Sequence, residues 1–143
     1  MFLLDVNVLL ALGDPFHVHH ESVLEWFFRN HREGLATSPL TENGFLRILG
    51  HPHYHQGPGS PTAARRLLEK IIAHPGHQFW ADSISLCDSR HCPVLPSSKH
   101  LTDYFLLALA IKHHAKLATL DQRLDPSTLA GGSAAYHVVK DEG

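Results

Sequence analysis

The sequence predicts an α/β fold in three layers: a mostly parallel central sheet of four or five strands with helices on both faces. Three observations lead there. Short apolar runs at residues 2–4, 35–37 and 116–120 alternate with longer stretches of helical periodicity, and that alternation means parallel strands joined by helical crossovers. Two of the runs stop on a carboxylate, Asp5 and Asp121, where a buried strand meets solvent. Residues 103–114 are apolar on most sides, as a central helix would be.

Each element has its own local signal. Phe2, Leu3 and Leu4 form the first strand; after the turn at Val6 and Asn7 the apolar run resumes over 8–12 as a short helix. Gly13, Asp14 and Pro15 break the chain. A helix is expected over 17–32, with Val23, Leu24, Phe27 and Phe28 on one face and Glu21, Glu25 and Arg29 largely on another; Trp26 is read as packing. Gly34 opens a strand at 35–37. Ser38 and Pro39 read as N-cap and first residue of a helix ending near Gly50, with Glu42 in or just beyond its first turn. Residues 51–60 form an irregular loop dense in Gly and Pro. Ser60 and Pro61 start a helix running to about residue 73, striped by Leu67, Leu68, Ile71 and Ile72. A short strand is expected at 77–80, and one helical turn at 83–86 in an otherwise ambiguous stretch. Thr102 is expected to cap the helix 103–114. The strand 116–120 then runs into Asp121, a turn of helix follows at 122–124, and Gly131 and Gly132 lead to a last strand at 136–139.

Composition narrows the function classes. At 143 residues the chain suits one domain, 1–143, able to bury a core without staples. No apolar stretch approaches the roughly 20 residues needed to span a bilayer, so no membrane partner is expected. The first residues carry Asp5 and no basic side chain, unlike a secretory leader. A cytoplasmic protein is expected. Cys87 and Cys92 are too widely spaced for a zinc site and read as reduced thiols in a surface segment. A net charge of −2 means that no strongly basic surface advertises nucleic acid, a point softened by the 14 histidines.

Four acids carry the chemistry. Asp5 and Asp121 close strands; Glu42 and Asp103 sit at helix starts. In a parallel sheet, strand ends and helix starts share one edge, so all four can converge. Taken singly, each has an ordinary reading as a cap, a first-turn acid or a turn former. Taken together they repel: two unit charges 4 Å apart cost about 1 kcal/mol in water and about 4 in a partly screened site. A bound cation relieves this, and carboxylates without thiols favour hard ions, Mg²⁺ or Mn²⁺. Asn7, Thr119 and Thr41 lie near the cluster, where Asn7 or Thr119 can orient a ligand or an attacking water. Arg47, Lys99, Arg65 and Arg66 are candidate phosphate contacts at the rim.

The segments around these acids resemble a known family. Leu4-Asp5-Val6-Asn7-Val8-Leu9-Leu10, Pro39-Leu40-Thr41-Glu42-Asn43-Gly44-Phe45, Thr102-Asp103-Tyr104-Phe105-Leu106 and Leu117-Ala118-Thr119-Leu120-Asp121 are similar to the successive acidic motifs of PIN domains, most closely the VapC-type toxins of bacterial toxin–antitoxin pairs. The resemblance implies a PIN-like fold and a metal-dependent ribonuclease. It further implies a homodimer silenced by a VapB-type antitoxin that lays a segment over the groove. By position it makes Asp5, Glu42, Asp103 and Asp121 the catalytic acids, with Asp5, Asp103 and Asp121 on the Mg²⁺ or Mn²⁺ ion and RNA as substrate.

Two other readings compete. His51, His53 and His55 alternate, and in an extended loop would share one side, suiting a transition-metal-binding protein without catalysis. A Gly- and Pro-rich loop, however, does not fix ligand geometry. A PIN-fold interaction module without activity is the other reading, and the intact acids weigh against it.

Overall fold

The computed structural model describes residues 1–140; the last three positions of the expected 1–143 domain lie outside the described residues. Five strands form one sheet: β1 (Phe2–Leu4), β2 (Leu35–Thr37), β3 (His77–Phe79), β4 (Lys116–Thr119) and β5 (Tyr136–Val138). All are parallel and lie in the order β3-β2-β1-β4-β5. The crossovers contain α1 (Val6–Gly13), α2 (His20–Asn30), α3 (Pro39–Leu49), α4 (Pro61–Ile72), α5 (Leu101–Lys112) and α6 (Gly132–Ala135).

The pleat of β1 explains the three layers. Leu3 points into one core cluster with Leu106, Leu107, Leu109 and Leu117, on the α5 side. Phe2 and Leu4 point the other way, into a cluster with Val8, Leu9, Phe45 and Leu68 from α1, α3 and α4. A strand buried on both faces must be apolar throughout, and all of β1 is buried. Chain order reverses between β1 and β4: β2 and β3 lie on one side of β1, β4 and β5 on the other. That reversal opens a crevice at the carboxyl ends of β1 and β4, where such sheets bind ligands. Among the described residues no helix is long and apolar enough to cross a membrane.

Three expected helical segments are corrected by one physical cause. The 17–32 helix starts only at His20, because the Phe16 N–H donates to Asp14 Oδ1 (2.9 Å) and the His19 N–H to His17 Nδ1 (3.0 Å). No helical turn forms at 83–86; instead the Cys87 N–H bonds Ser85 Oγ and the Arg90 N–H bonds Asp88 Oδ1, each at 3.0 Å. None forms at 122–124 either, where the Arg123 N–H donates to Asp121 Oδ1 at 2.9 Å. Side chains that take a backbone N–H two residues on offer the chain a turn in place of a helix. Other differences are smaller. Thr102 does not cap α5, which begins at Leu101 behind a 3-10 turn at Ser98–His100. In α3 the Thr41 hydroxyl takes the Ser38 N–H (2.9 Å), while Ser38 Oγ has no hydrogen-bond partner among the described residues. Cys92 is no surface thiol: it is buried beside Tyr104 in the α5 core, and Cys87 alone is exposed. Phe28 is mostly exposed, off the apolar face of α2.

Gly44 lets α3 approach the start of α1. A Cβ there would lie 2.6 Å from Val6 Cγ2. Val6 is stiff at χ1, so Gly44→Ala is expected to destabilise the fold by about 1–3 kcal/mol, read as a lower urea midpoint. An unchanged midpoint would mean that Val6 repacks freely.

Candidate active site

Asp5 follows β1 and is the N-cap of α1: its Oδ1 accepts the Val6 N–H at 2.7 Å. It is 4% exposed. Its other oxygen accepts the Thr119 hydroxyl at 2.7 Å, across the β1–β4 boundary. Thr119, the last residue of β4, is a hub. It also accepts from Asn7 Nδ2 (3.3 Å) and from the Asp121 N–H (3.1 Å). Asn7 completes the lattice by accepting the Leu120 N–H through Oδ1 (3.1 Å). The Asp5 N–H donates to the Ala118 carbonyl at 3.0 Å. The two strand ends on either side of the switch point are thus laced by side chains as well as by the ladder.

Asp5 responds to the charges of Asp103 and Asp121, and Asp103 to that of Asp121. Burial pushes the Asp5 carboxyl up to about 6; the bonds from Thr119 and Val6 oppose this, and the charges of Asp103 and Asp121 reinforce it. Asp103, in the first turn of α5, is also raised, by burial first and then by Asp121. Asp121 goes the other way. Arg123 binds both its oxygens, Nε at 3.1 Å and Nη2 at 3.0 Å, and holds it below the usual carboxylate range.

Glu42 sits apart from this trio. Its Oε2 accepts the Thr37 hydroxyl at 2.6 Å, and Thr37 Oγ1 lies 2.7 Å from His77 Nε2, at the ends of β2 and β3. Lys99 is exposed in the turn just before α5. Arg47 lies near the far end of α3 and lines a separate cavity of about 310 Å³ with Ile48, His51, His53 and Tyr54. Arg65 is engaged by Glu69 along α4 at 3.6 Å.

Two neighbours carried no signal in the sequence. Tyr136 on β5 donates its hydroxyl to the Asp121 carbonyl, and its phenol is pushed up to about 12 by burial and by the charges of Asp121, Asp103 and Asp5. His100 lends positive influence to Asp103 and Asp121. Tyr136 reaches the site through the sheet order, and His100 through the turn that leads into α5.

The arrangement concentrates negative charge in a crevice, with Asn and Thr oxygens around it and no thiol. That donor set suits a hard divalent cation. Among the described residues no three histidine, cysteine, aspartate or glutamate side chains are grouped so as to hold a metal ion. For the aspartates the reason is visible: Asp121 is turned to Arg123, and Asp5 to Val6 and Thr119. For the histidine loop, the His51 and His53 rings lie 5.5 Å apart, tilted by 40°, and His51 Nδ1 is taken by the His53 N–H at 3.0 Å. The transition-metal reading therefore finds no built site there.

Comparison with known proteins agrees with this architecture. The PIN domain family profile matches residues 2–126. Ribonuclease VapC44 of Mycobacterium tuberculosis is 38% identical over 136 residues, 94% of this chain and 95% of the relative. Ribonuclease VapC38 of the same organism is 41% identical over 121 residues, 85% of each. Among solved structures, M. tuberculosis VapC20, described as a sarcin-ricin loop cleaving toxin, superposes with a TM-score of 0.61 at 14% identity, covering 91% of this chain and 97% of that one. VapBC2 from Rickettsia felis, bound to a DNA fragment from its promoter, gives 0.55 at 12%, covering 84% and 87%. These two likenesses concern the fold. With a family match spanning most of its length and relatives sharing more than a third of their residues, this chain belongs to the PIN domain family and stands among its VapC-type members.

Proposed function

We propose that this protein is an endoribonuclease that hydrolyses RNA phosphodiester bonds with the help of Mg²⁺ or Mn²⁺. In this reading it is the toxin of a VapBC pair, active as a homodimer in the cytoplasm and silenced by a VapB-type antitoxin. The observation that supports the reading is Asp5 itself, buried at the switch point, its carboxyl raised to about 6 by burial first and then by the charges of Asp103 and Asp121. The names of the VapC relatives support the reaction, and the VapBC2 complex supports the antitoxin.

Asp5, Asp103 and Asp121 would hold the ion, which when bound lowers the pKa of a coordinated water and offsets charge developing on the phosphoryl oxygens. Thr119 and Asn7 keep Asp5 pointed into the crevice. Glu42, gripped by Thr37 through Oε2, would complete a second ion site or help activate water. Lys99, exposed in the turn before α5, would supply positive charge for the RNA backbone.

Incubation of the purified protein with RNA and either ion, with and without chelator, tests the reading; sequencing the fragments names the target. Absence of ion-dependent cleavage overturns it. A pH dependence follows. Asp5 must give up its proton to act as a ligand, and its carboxyl is raised, so activity falls as pH drops through about 6. At subsaturating magnesium the rate is expected to lose roughly tenfold per pH unit below that point. A flat profile between pH 5 and 7 argues that Asp5 does not ligate.

A further inference from the structure

The loop between α1 and α2 has no part in the acidic motifs, yet it reaches the active site. His17 and His19 line one open groove with Asn7, Asp121, Gln122 and Arg123, about 440 Å³ in volume. Whatever lies in this groove touches the residues flanking the catalytic crevice. Asp121 is the one acid among its lining residues. The two imidazole rings stand 5.8 Å apart and are tilted by 43°. On the same loop Phe16 is 69% exposed and Val18 86%.

The loop is braced rather than loose. Asp14 accepts the Phe16 N–H through one oxygen and the Tyr54 hydroxyl through the other (2.7 Å). The His17 N–H donates to the Asp14 carbonyl and the His20 N–H to the His17 carbonyl, both at 3.0 Å. His20 Nδ1 lies 2.6 Å from the Ala11 carbonyl. With its Nδ1 occupied by the His19 N–H, the His17 ring has a set orientation. Aromatic faces held in place beside a cation are what unstacked bases and their phosphates require. Arg123 uses Nε and Nη2 on Asp121, which leaves Nη1 for a phosphate oxygen. A chain of net charge −2 must draw much of its RNA affinity from such stacking rather than from a basic surface.

We propose that His17 and His19 form a stacking platform for the bases of single-stranded RNA next to the cleaved bond, with Arg123 gripping the adjoining phosphate. This rests on the ribonuclease reading for its place in a reaction but is tested by binding alone. The probe is a fluorescent single-stranded RNA 12-mer and its counterpart with abasic positions at the centre, titrated against the full chain carrying Asp5→Asn. His17→Ala and His19→Ala are each expected to weaken binding of the normal 12-mer about 5- to 100-fold, and that of the abasic one less than twofold. Arg123→Gln weakens both and lowers the slope of log affinity against log salt by about 0.7–1. The milder His19→Gln, with melting curves on every variant, separates lost stacking from a disturbed fold. Unchanged affinity for the normal 12-mer in folded loop variants, or equal loss on both probes, overturns the platform. If the loop variants behave as expected while the unmutated chain cuts no RNA, the nuclease reading fails and the platform stands.

Discussion

Asp5→Asn is expected to lower RNA cleavage by about 10³-fold or more, since the ion it helps hold is worth several kcal/mol of transition-state stabilisation. The fold should survive. At neutral pH the ionised Asp5 weighs on the cation-free protein, because burial favours its neutral form. Asparagine removes that cost. It also loses one acceptor, because its single carbonyl oxygen cannot take both the Val6 N–H and the Thr119 hydroxyl. The two effects offset to within about 1–2 kcal/mol, so the melting temperature should shift by only a few degrees. The paired measurement is a nuclease assay beside a thermal melt. Cleavage at the unmutated rate sinks the assignment; a large drop in melting temperature would instead make Asp5 a structural residue.

The second large effect is expected at Thr119. Valine there keeps the shape but strips a hydroxyl that serves Asp5, Asn7 and the Asp121 N–H at once. The site is 1% exposed, so water cannot readily replace the lost partners. Leaving buried polar groups unmatched costs about 1–3 kcal/mol each, and Thr119→Val is expected to destabilise by roughly 2–4 kcal/mol in total. Cleavage should fall about 10- to 100-fold, the usual loss when a ligand's supporting hydrogen bond is removed. The pH profile moves as well. The Thr119 bond lowers the Asp5 carboxyl, so its removal shifts the acid limb to higher pH. Thr119→Ser should restore both activity and profile. A serine variant no better than valine would show that packing, not the hydroxyl, is what Thr119 supplies.

These two expectations have different origins, and the difference bears on how much of the protein was legible from residues. Asp5 and Asp121 could be read directly: an apolar run that stops on a carboxylate marks a strand end wherever it occurs. The strands at 2–4 and 35–37 and the buried character of α5 were equally plain. The turns were not. The helix expected from residue 17 starts three residues later, because Asp14 and His17 take backbone N–H groups that a helix would have used. Residues 83–86 and 122–124 fail to form helix for the same reason. Hydrophobic periodicity does not register a competition decided by single side-chain hydrogen bonds.

The roles around the acids divide in the same way. Thr119 and Asn7 were anticipated as neighbours, but not Thr119 as the hub of three partners. Glu42 was expected beside the aspartates, whereas the structure gives it Thr37 and, beyond that, His77 from the next strand over. Arg47 and Lys99 read alike as rim cations, yet one lines a cavity at the far end of α3 and the other is exposed in the turn before α5.

From its residues alone this chain specified parallel strands, helical crossovers and an acid at each critical strand end, because burial and periodicity are written locally. Folding decided which of those acids meet. Asp5 and Thr119 are separated by 114 positions and touch only because β4 inserts beside β1. The same strand order sets Tyr136 near three carboxylates and brings His17 and His19 to the groove beside Asp121. Charge–charge coupling and hydrogen bonding act over a few ångströms, and those distances exist only once the sheet is assembled.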